Sequence, residues 1–209
     1  MDKRFKVLML NGSPRENGNI TIAFREMKSV FEELNVEYED IRVGNKDIRG
    51  CIACEKCRQS GKCVFDDIVN ELSSKFEQAD GLVIGSPVYY GSANGTLMSA
   101  LQRMFYSSHF DTSMKVGASV VSARRSGCTA TFDELNKFFT LSGMPVVSSQ
   151  YWNNIYGWEP GEGDVDEEGK QVMRVLARNM VFLMESIALG KARNIVPVTE
   201  ERVWTNFTR

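Results

Sequence analysis

Residues 5–19 read FKVLMLNGSPRENGN, and this stretch predicts the first strand of the fold and the loop that follows it. Its apolar half, residues 5–10, is typical of a buried strand, which the turn-forming sequence Asn11-Gly12-Ser13-Pro14 ends. From residue 19 to residue 34 the apolar side chains recur at helical spacing, so the sequence predicts a helix directly after the loop. A buried strand, a polar loop and an amphipathic helix form the first unit of an α/β sheet.

The same alternation continues along the chain. Further strands are predicted at residues 36–43, 82–84 and 116–121, and a fifth strand is predicted to begin at residues 145–147. Further helices are predicted from Asp66 and Asp67 onward and at residues 95–106, 131–141 and 166–190. Five strands alternating with about five helices predict a parallel sheet with helices on both faces, in one domain over residues 1–209.

Composition excludes several classes of protein. Hydrophobic residues make up 43% of the 209 residues and charged residues 25%, which indicates a globular chain rather than a disordered one. The net charge of −2 leaves no basic surface for nucleic acid, and the lone histidine, His109, excludes chemistry that needs several histidines. No apolar run approaches the ~18 residues of a membrane span, so we expect a cytoplasmic protein with reduced cysteines.

Three predicted strands end in loops rich in Gly, Ser, Asn or Arg, at residues 11–19, 85–95 and 122–128. The carboxyl ends of parallel strands share one edge of the sheet, so these loops are expected to form one ligand site. The first loop matches neither a Walker loop nor the GxGxxG pattern, but free N–H groups at a helix start suit a phosphate dianion. The alternative is an ordinary strand–helix turn whose polar residues only cap the helix.

The other two loops carry aromatic and cationic side chains. Tyr89 and Tyr90 offer flat surfaces to a planar heteroaromatic ring, unless they simply pack under their own loop. Arg124 and Arg125 can pair with an electron-rich ring edge or a second anion, unless they form a solvated basic loop. An aromatic patch beyond the fifth predicted strand can cover such a site, line a subunit interface or pack in the core: Tyr151, Trp152, Tyr156 and Trp158.

Four of the five cysteines lie within residues 50–64, a loop inserted after the second strand: Cys51, Cys54, Cys57 and Cys63. Four thiolates this close can hold an iron–sulfur cluster or a zinc ion. The CxxCxxC start is more typical of a cubane cluster than of zinc, whose ligands usually come as two separated pairs. Reduced thiols without a metal are the third reading, and the residues alone leave all three open.

In combination these segments resemble a known family. NGSPRENGN, GSPVYYGSANG and SARRSGC followed by TATFDELNKFF resemble the NADPH-dependent FMN reductase branch of the flavodoxin-like flavoproteins, over about residues 6–152. GCIACEKCRQSGKC resembles the compact cysteine motif of the iron–sulfur flavoproteins in that branch. The resemblance implies a three-layer sandwich with a five-stranded parallel sheet in the order 2-1-3-4-5, bound FMN, and a homodimer or homotetramer that completes the flavin site.

The resemblance also implies site residues. The matched phosphate-loop residues are Ser13, Arg15, Asn17, Gly18, Asn19 and Thr21. The family more often has Thr directly after the Gly-Asn pair, where this chain has Ile20 before Thr21. The segment that lines the isoalloxazine is matched by Pro87, Val88, Tyr89, Tyr90 and Gly91, and the third flavin loop by Ser122, Arg124 and Gly127. The matched ligands of a [4Fe-4S] cluster are the four cysteines above.

These features predict an FMN-dependent NAD(P)H oxidoreductase that passes electrons to a flavin, a quinone or another small-molecule or protein acceptor. Flavin N5 would carry the chemistry, so no side chain is assigned a catalytic role. The alternative is an iron–sulfur flavoprotein that acts as an electron carrier or redox-sensing module without a substrate of its own. Neither reading involves nucleic acid or a membrane.

Overall fold

A computed structural model describes residues 4–201 and 203–205 of the chain. Its sheet contains the strands β1 (Lys6–Asn11), β2 (Glu37–Arg42), β3 (Gly81–Tyr89), β4 (Ser92–Ala93), β5 (Val116–Ala123) and β6 (Asn154–Tyr156). The parallel strands follow the order β2-β1-β3-β5-β6, and the short β4 pairs antiparallel with the end of β3. The predicted parallel sheet is therefore confirmed, and β4 is an addition that the sequence pattern did not predict.

Helices cover both faces of this sheet. They are α1 (Asn19–Glu33), α2 (Cys57–Ser60), α3 (Ile68–Gln78), α4 (Gly95–Ser107), α5 (Cys128–Leu141) and α6 (Glu167–Ala192), with a 3₁₀ turn at Glu162–Val165 before α6. Strand β1 shows how the faces divide, because Val7 and Met9 pack with α1 and α6 whereas Leu8 and Leu10 pack with α3, α4 and α5. A strand buried on both faces reads as a continuous apolar run, as the sequence of β1 does.

The prediction for the last strand was wrong in position. Val146 forms only an isolated bridge with Gly117, and the fifth parallel strand is β6, which begins at Asn154. The side-chain amide of Asn153 donates to the carbonyl of Ser119 (2.9 Å) on β5, and the Ser149 hydroxyl donates to the carbonyl of Val172 (2.7 Å) on α6. Side-chain hydrogen bonds from this segment thus reach both β5 and α6.

Strand β3 also runs further than the pattern predicted. Its register with β5 continues through the pairs Ser86↔Val121 and Pro87↔Ser122. This extension carries residues 86–89 to the edge where the loops after β1 and β5 emerge. In the described part of the chain, no helix is long and apolar enough to cross a bilayer.

Candidate functional site

The loops after β1, β3 and β5 meet around one pocket of about 240 Å³ at the carboxyl edge of the sheet. Nine of the fourteen residues predicted for the ligand site line it: Ser13, Arg15, Gly18, Asn19, Pro87, Val88, Tyr89, Ser122 and Arg124. The other lining residues are Ala123 from the predicted third loop, Trp158 from the aromatic patch, and three that the sequence did not suggest for the site: Ile20, Gly157 and Pro160.

The first loop presents an uncapped helix start to this pocket. Gly18 is the N-cap of α1, no side chain caps it, and the first turn contains no acidic residue. A Cβ on Gly18 would lie 2.5 Å from Ser13 Oγ, so glycine is required for this approach. The buried Ser13 hydroxyl accepts from the Arg15 N–H and donates to the Arg15 carbonyl, both at 3.2 Å. Such a helix start favours an anion through its N–H groups and dipole.

Asn19 connects this helix start to a distant segment. Its Oδ1 accepts from the backbone N–H of Gly163 (3.0 Å), and a Cβ on Gly157 would lie 2.6 Å from its Nδ2. Thr21 does not line the pocket; its hydroxyl accepts from Asn11 Nδ2 (3.3 Å) and donates to the Glu16 carbonyl (2.9 Å), which braces the loop from within. Asn17 is exposed outside the pocket lining.

Two arginines hold residues 157–160 against the pocket. Arg15 donates to the carbonyl of Trp158 (3.3 Å), and the Arg124 guanidinium lies 3.8 Å from the centroid of the Trp158 ring. The carboxylate of Glu162 accepts from the N–H groups of Trp158 (2.7 Å) and Glu159 (3.1 Å), and these bonds lower the pKa of Glu162. One wall of the pocket is thus an indole ring faced by a cation.

The second loop is a tight hairpin between β3 and β4. Tyr90 and Gly91 form its turn with φ of +52° and +77°, the conformation that two-residue hairpins favour. Tyr89 lines the pocket, whereas Tyr90 is fully exposed at the tip, and neither Tyr90 nor Gly91 lines the pocket. Glu134 on α5 fixes the hairpin, since its carboxylate accepts from the Ser92 hydroxyl (2.7 and 2.9 Å) and the Ala93 N–H (2.8 Å).

The third loop contacts the second through Gly127, which does not itself line the pocket. Gly127 has φ of +90°, and a Cβ there would lie 2.9 Å from Val88 Cγ1 and 3.2 Å from Gly91 Cα. Ser122, at the end of β5, is buried to 5% exposure in the pocket wall. The two loops therefore pack as one surface only because residue 127 lacks a side chain.

A second pocket lies at the loop between β2 and α3. All four loop cysteines line it as free thiols: Cys51 and Cys54 are exposed, Cys57 is buried and Cys63 is half-buried. Ala53 and Glu55, on either side of Cys54, have φ of +52° and +57°, which is rare for residues with side chains. Left-handed residues alternating with others create concave arrays of N–H groups that surround anions and iron–sulfur centres.

The four thiols of this pocket are the donors that an iron–sulfur cluster uses, but among the described residues they are not gathered around one point. The Ala53 N–H already donates to Cys51 Sγ (3.4 Å), and burial raises the pKa of the Cys57 thiol. The pocket has a volume of about 20 Å³, enough for one water molecule, so the cysteines would have to move apart to hold a cluster. As it stands, no three His, Cys, Asp or Glu side chains of the described residues are grouped to hold a metal ion.

The parallel sheet with helices on both faces defines a flavodoxin-like fold. Residues 5–159 match the family model of NADPH-dependent FMN reductases, and the chain belongs to this family. It is 32% identical to an iron–sulfur flavoprotein of Methanocaldococcus jannaschii over 190 residues, 87% of this chain and 98% of that protein. An iron–sulfur flavoprotein of Methanosarcina thermophila is 28% identical over 186 residues, 87% of this chain and 96% of that protein.

Solved structures show the same fold at low identity. RosB with bound 8-demethyl-8-formylriboflavin-5′-phosphate superposes with a TM-score of 0.68 at 17% identity, over 98% of this chain and 93% of RosB. An NAD(P)H:quinone oxidoreductase of Methanothermobacter marburgensis superposes with a TM-score of 0.66 at 15% identity, over 85% of this chain and 96% of that chain. A flavodoxin from the domain Archaea superposes with a TM-score of 0.56 at 16% identity, over 85% of this chain and 99% of that chain.

Proposed function

We propose that this chain binds FMN in the pocket at the carboxyl edge of the sheet and transfers electrons from NAD(P)H to a small-molecule or protein acceptor. The observation that carries the proposal is the convergence of three loops, from β1, β3 and β5, on one pocket. Membership of the FMN reductase family supports the same cofactor. FMN supplies the hydride chemistry when bound, and the protein supplies binding and orientation.

The two ends of the pocket differ in chemistry, which orients the cofactor. We assign the phosphate to the uncapped start of α1, where Ser13, Gly18 and Arg15 line the wall. We assign the ring system to the wall formed by residues 87–89, Arg124 and Trp158, which offers flat apolar surface together with a guanidinium.

A second copy of the chain would complete this site. The pocket is small beside the ~300–1,000 Å³ usual for cofactor-sized ligands, so one protomer covers FMN only in part. The aromatic patch beyond residue 150 is exposed rather than packed in the core, with Tyr151 at 61%, Trp152 at 52%, Tyr156 at 42% and Trp158 at 55%. Tyr and Trp are enriched at subunit interfaces, and this patch supports a homodimer or homotetramer.

Adjacent arginines offer a matched test of the flavin site. Arg124 lines the pocket and Arg125, its exposed neighbour, does not. We expect Arg124→Gln to weaken FMN binding and lower steady NAD(P)H oxidation several-fold, and Arg125→Gln to leave both unchanged. Equal behaviour of the two variants in FMN titration and turnover contradicts the assignment of the ring system to this wall.

An iron–sulfur flavoprotein is the second candidate, because four cysteines line one pocket and the relatives named above carry that description. After anaerobic reconstitution we expect iron and acid-labile sulfide in equal amounts. Cys54→Ala should abolish the iron and the sulfide and leave FMN binding intact. Cys128 is a buried cysteine outside the loop, and Cys128→Ala should leave the iron and sulfide contents unchanged.

Reconstituted protein without iron removes the cluster from the proposal and leaves a plain flavin reductase. A cluster-containing protein can also be tested for turnover. If it is reduced once by NAD(P)H or a partner and shows no steady turnover with quinones or free flavins, it is an electron carrier rather than an enzyme.

A further inference from the structure

Beside the cysteine pocket lies a buried arginine that the flavin chemistry does not use. Arg103 belongs to α4, outside the cysteine loop, and is only 1% exposed. Its guanidinium forms a bidentate ion pair with Asp67, from Nη1 to Oδ2 (2.6 Å) and from Nη2 to Oδ1 (2.8 Å). A buried guanidinium is tolerated only when it is paired and its other donors are also satisfied.

Two further donors of this guanidinium reach the cysteine loop and the residue just before it. Nε donates to Cys63 Sγ (3.3 Å), and Nη1 also donates to the carbonyl of Arg49 (3.2 Å). One face of the guanidinium lies over the Phe65 ring, 4.9 Å from its centroid. The planar fork of arginine contacts the carboxylate and the sulfur in one fixed geometry, which a lysine ammonium cannot reproduce.

The partners of Arg103 are themselves fixed. Asp67 caps α3 by accepting from the N–H of Val69 (3.1 Å). The main chain of Cys63 is clamped by Asn70, whose Oδ1 accepts from the Cys63 N–H (2.8 Å) and whose Nδ2 donates to the Cys63 carbonyl (3.0 Å). Cys63 is therefore held at its backbone by α3 and at its sulfur by α4.

We propose that Arg103 is the positioning residue of the cysteine site: it orients Cys63 Sγ as a ligand, and its guanidinium hydrogen bond to that sulfur raises the reduction potential of the bound cluster. This inference rests on the proposed iron–sulfur function. Hydrogen bonds to ligand sulfurs and local charge are among the factors that set cluster potentials, and partners of ligands orient them. A hydrogen bond donated to a ligand sulfur favours the reduced cluster, because that state carries one more negative charge.

Arg49 supplies a matched control for Arg103. Its guanidinium lies over the same Phe65 ring, 4.8 Å from the centroid, but the side chain is exposed and does not line the cysteine pocket. After anaerobic reconstitution, we expect Arg103→Gln to shift the cluster midpoint potential to more negative values and to release iron to a chelator several-fold faster. Arg49→Gln should leave both at wild-type values, and neither variant should change the flavin potential or FMN affinity.

Arg103→Lys is the control for a folding defect, because lysine keeps the positive charge and most of the side-chain volume. We expect this variant to fold, to retain iron, and to show a cluster potential between those of wild type and Arg103→Gln. A folded Arg103 variant with the wild-type cluster potential, EPR signature and iron-release rate overturns the inference. If the wild-type protein takes up no iron, both the cluster part of the proposed function and this inference are overturned. The two failures can be told apart, because failure of the inference alone appears only in the Arg103 variants, whereas failure of the cluster appears in the wild type.

Discussion

Ser13 illustrates how single residues combine fold and binding in this pocket. Its hydroxyl is buried at 4% exposure and bonds to both backbone groups of Arg15, which shapes the loop before α1. The same side chain lines the pocket beside the uncapped helix start. A phosphate only accepts hydrogen bonds, so the hydroxyl would turn its one hydrogen from the Arg15 carbonyl to the phosphate that we assign there.

We expect Ser13→Ala to weaken FMN binding by about 1.5–3 kcal/mol, or about 10- to 100-fold, the usual contribution of a hydrogen bond to a charged group. The measurement is the dissociation constant from titration of the apoprotein with FMN. Ser29→Ala removes an exposed hydroxyl from α1, the helix that follows this loop, and serves as the control, with no expected change. An unchanged constant for Ser13→Ala places the phosphate elsewhere.

Gly127 tests whether the second and third loops depend on their close contact. Its φ of +90° and the 2.9 Å from a built Cβ to Val88 Cγ1 leave no room for a side chain. We expect Gly127→Ala to lower the free energy of unfolding by about 1–3 kcal/mol, the usual range for a residue held in a rare backbone conformation. Gly95→Ala, where a Cβ would meet nothing within 4 Å, should be neutral in the same denaturant titration; a neutral Gly127→Ala contradicts the argument.

At the scale of elements, the hairpin of β3 and β4 depends on a carboxylate from α5. Glu134 is the residue that bonds to both Ser92 and Ala93, so it couples α5 to the loop that carries Tyr89. This connection spans about forty residues of sequence, and no local pattern indicated it.

We expect Glu134→Ala to release the hairpin and weaken FMN binding about tenfold or more, since bonds to a charged acceptor contribute about 1.5–3 kcal/mol each. Asp133→Ala, its exposed neighbour on the same helix, should bind FMN normally. Proteolysis should distinguish the two variants as well, because only the first frees the turn at Tyr90. If Glu134→Ala binds FMN with wild-type affinity and resists proteolysis as the wild type does, the hairpin does not depend on the Glu134 hydrogen bonds.

Elements also show where local pattern fails. The sequence predicted a third strand ending at residue 84, but pairing with β5 extends β3 to Tyr89. Conversely, residues 145–147 have the apolar pattern of a strand, yet only Val146 forms a bridge. In both cases a partner distant in sequence decides the boundary, and periodicity contains no information about that partner.

For the whole molecule, sequence reasoning predicted the parallel sheet and the edge at which its loops meet. The rule that loops after parallel strands share one edge predicted where the loops meet, and the family resemblance supplied the individual residues, nine of which line the pocket. Sequence reasoning missed Gly157 and Pro160, which reach the pocket through contacts such as Asn19–Gly163 and Arg15–Trp158 that join residues more than 140 positions apart. It also gave no sign of Arg103, since an arginine within a helical pattern is usually exposed.

If a phosphate-bearing flavin occupies the three-loop pocket, its affinity depends on the phosphate and its binding changes the fluorescence of Trp158. Apoprotein is titrated with FMN and with riboflavin, while tryptophan fluorescence is recorded in wild type and in Trp158→Phe. We expect FMN to bind one per protomer and about 100-fold or more tighter than riboflavin, given two or more charge-assisted bonds of about 1.5–3 kcal/mol each. Quenching should fall in Trp158→Phe. Equal affinities for FMN and riboflavin, or quenching that does not involve Trp158, would contradict this placement of the flavin.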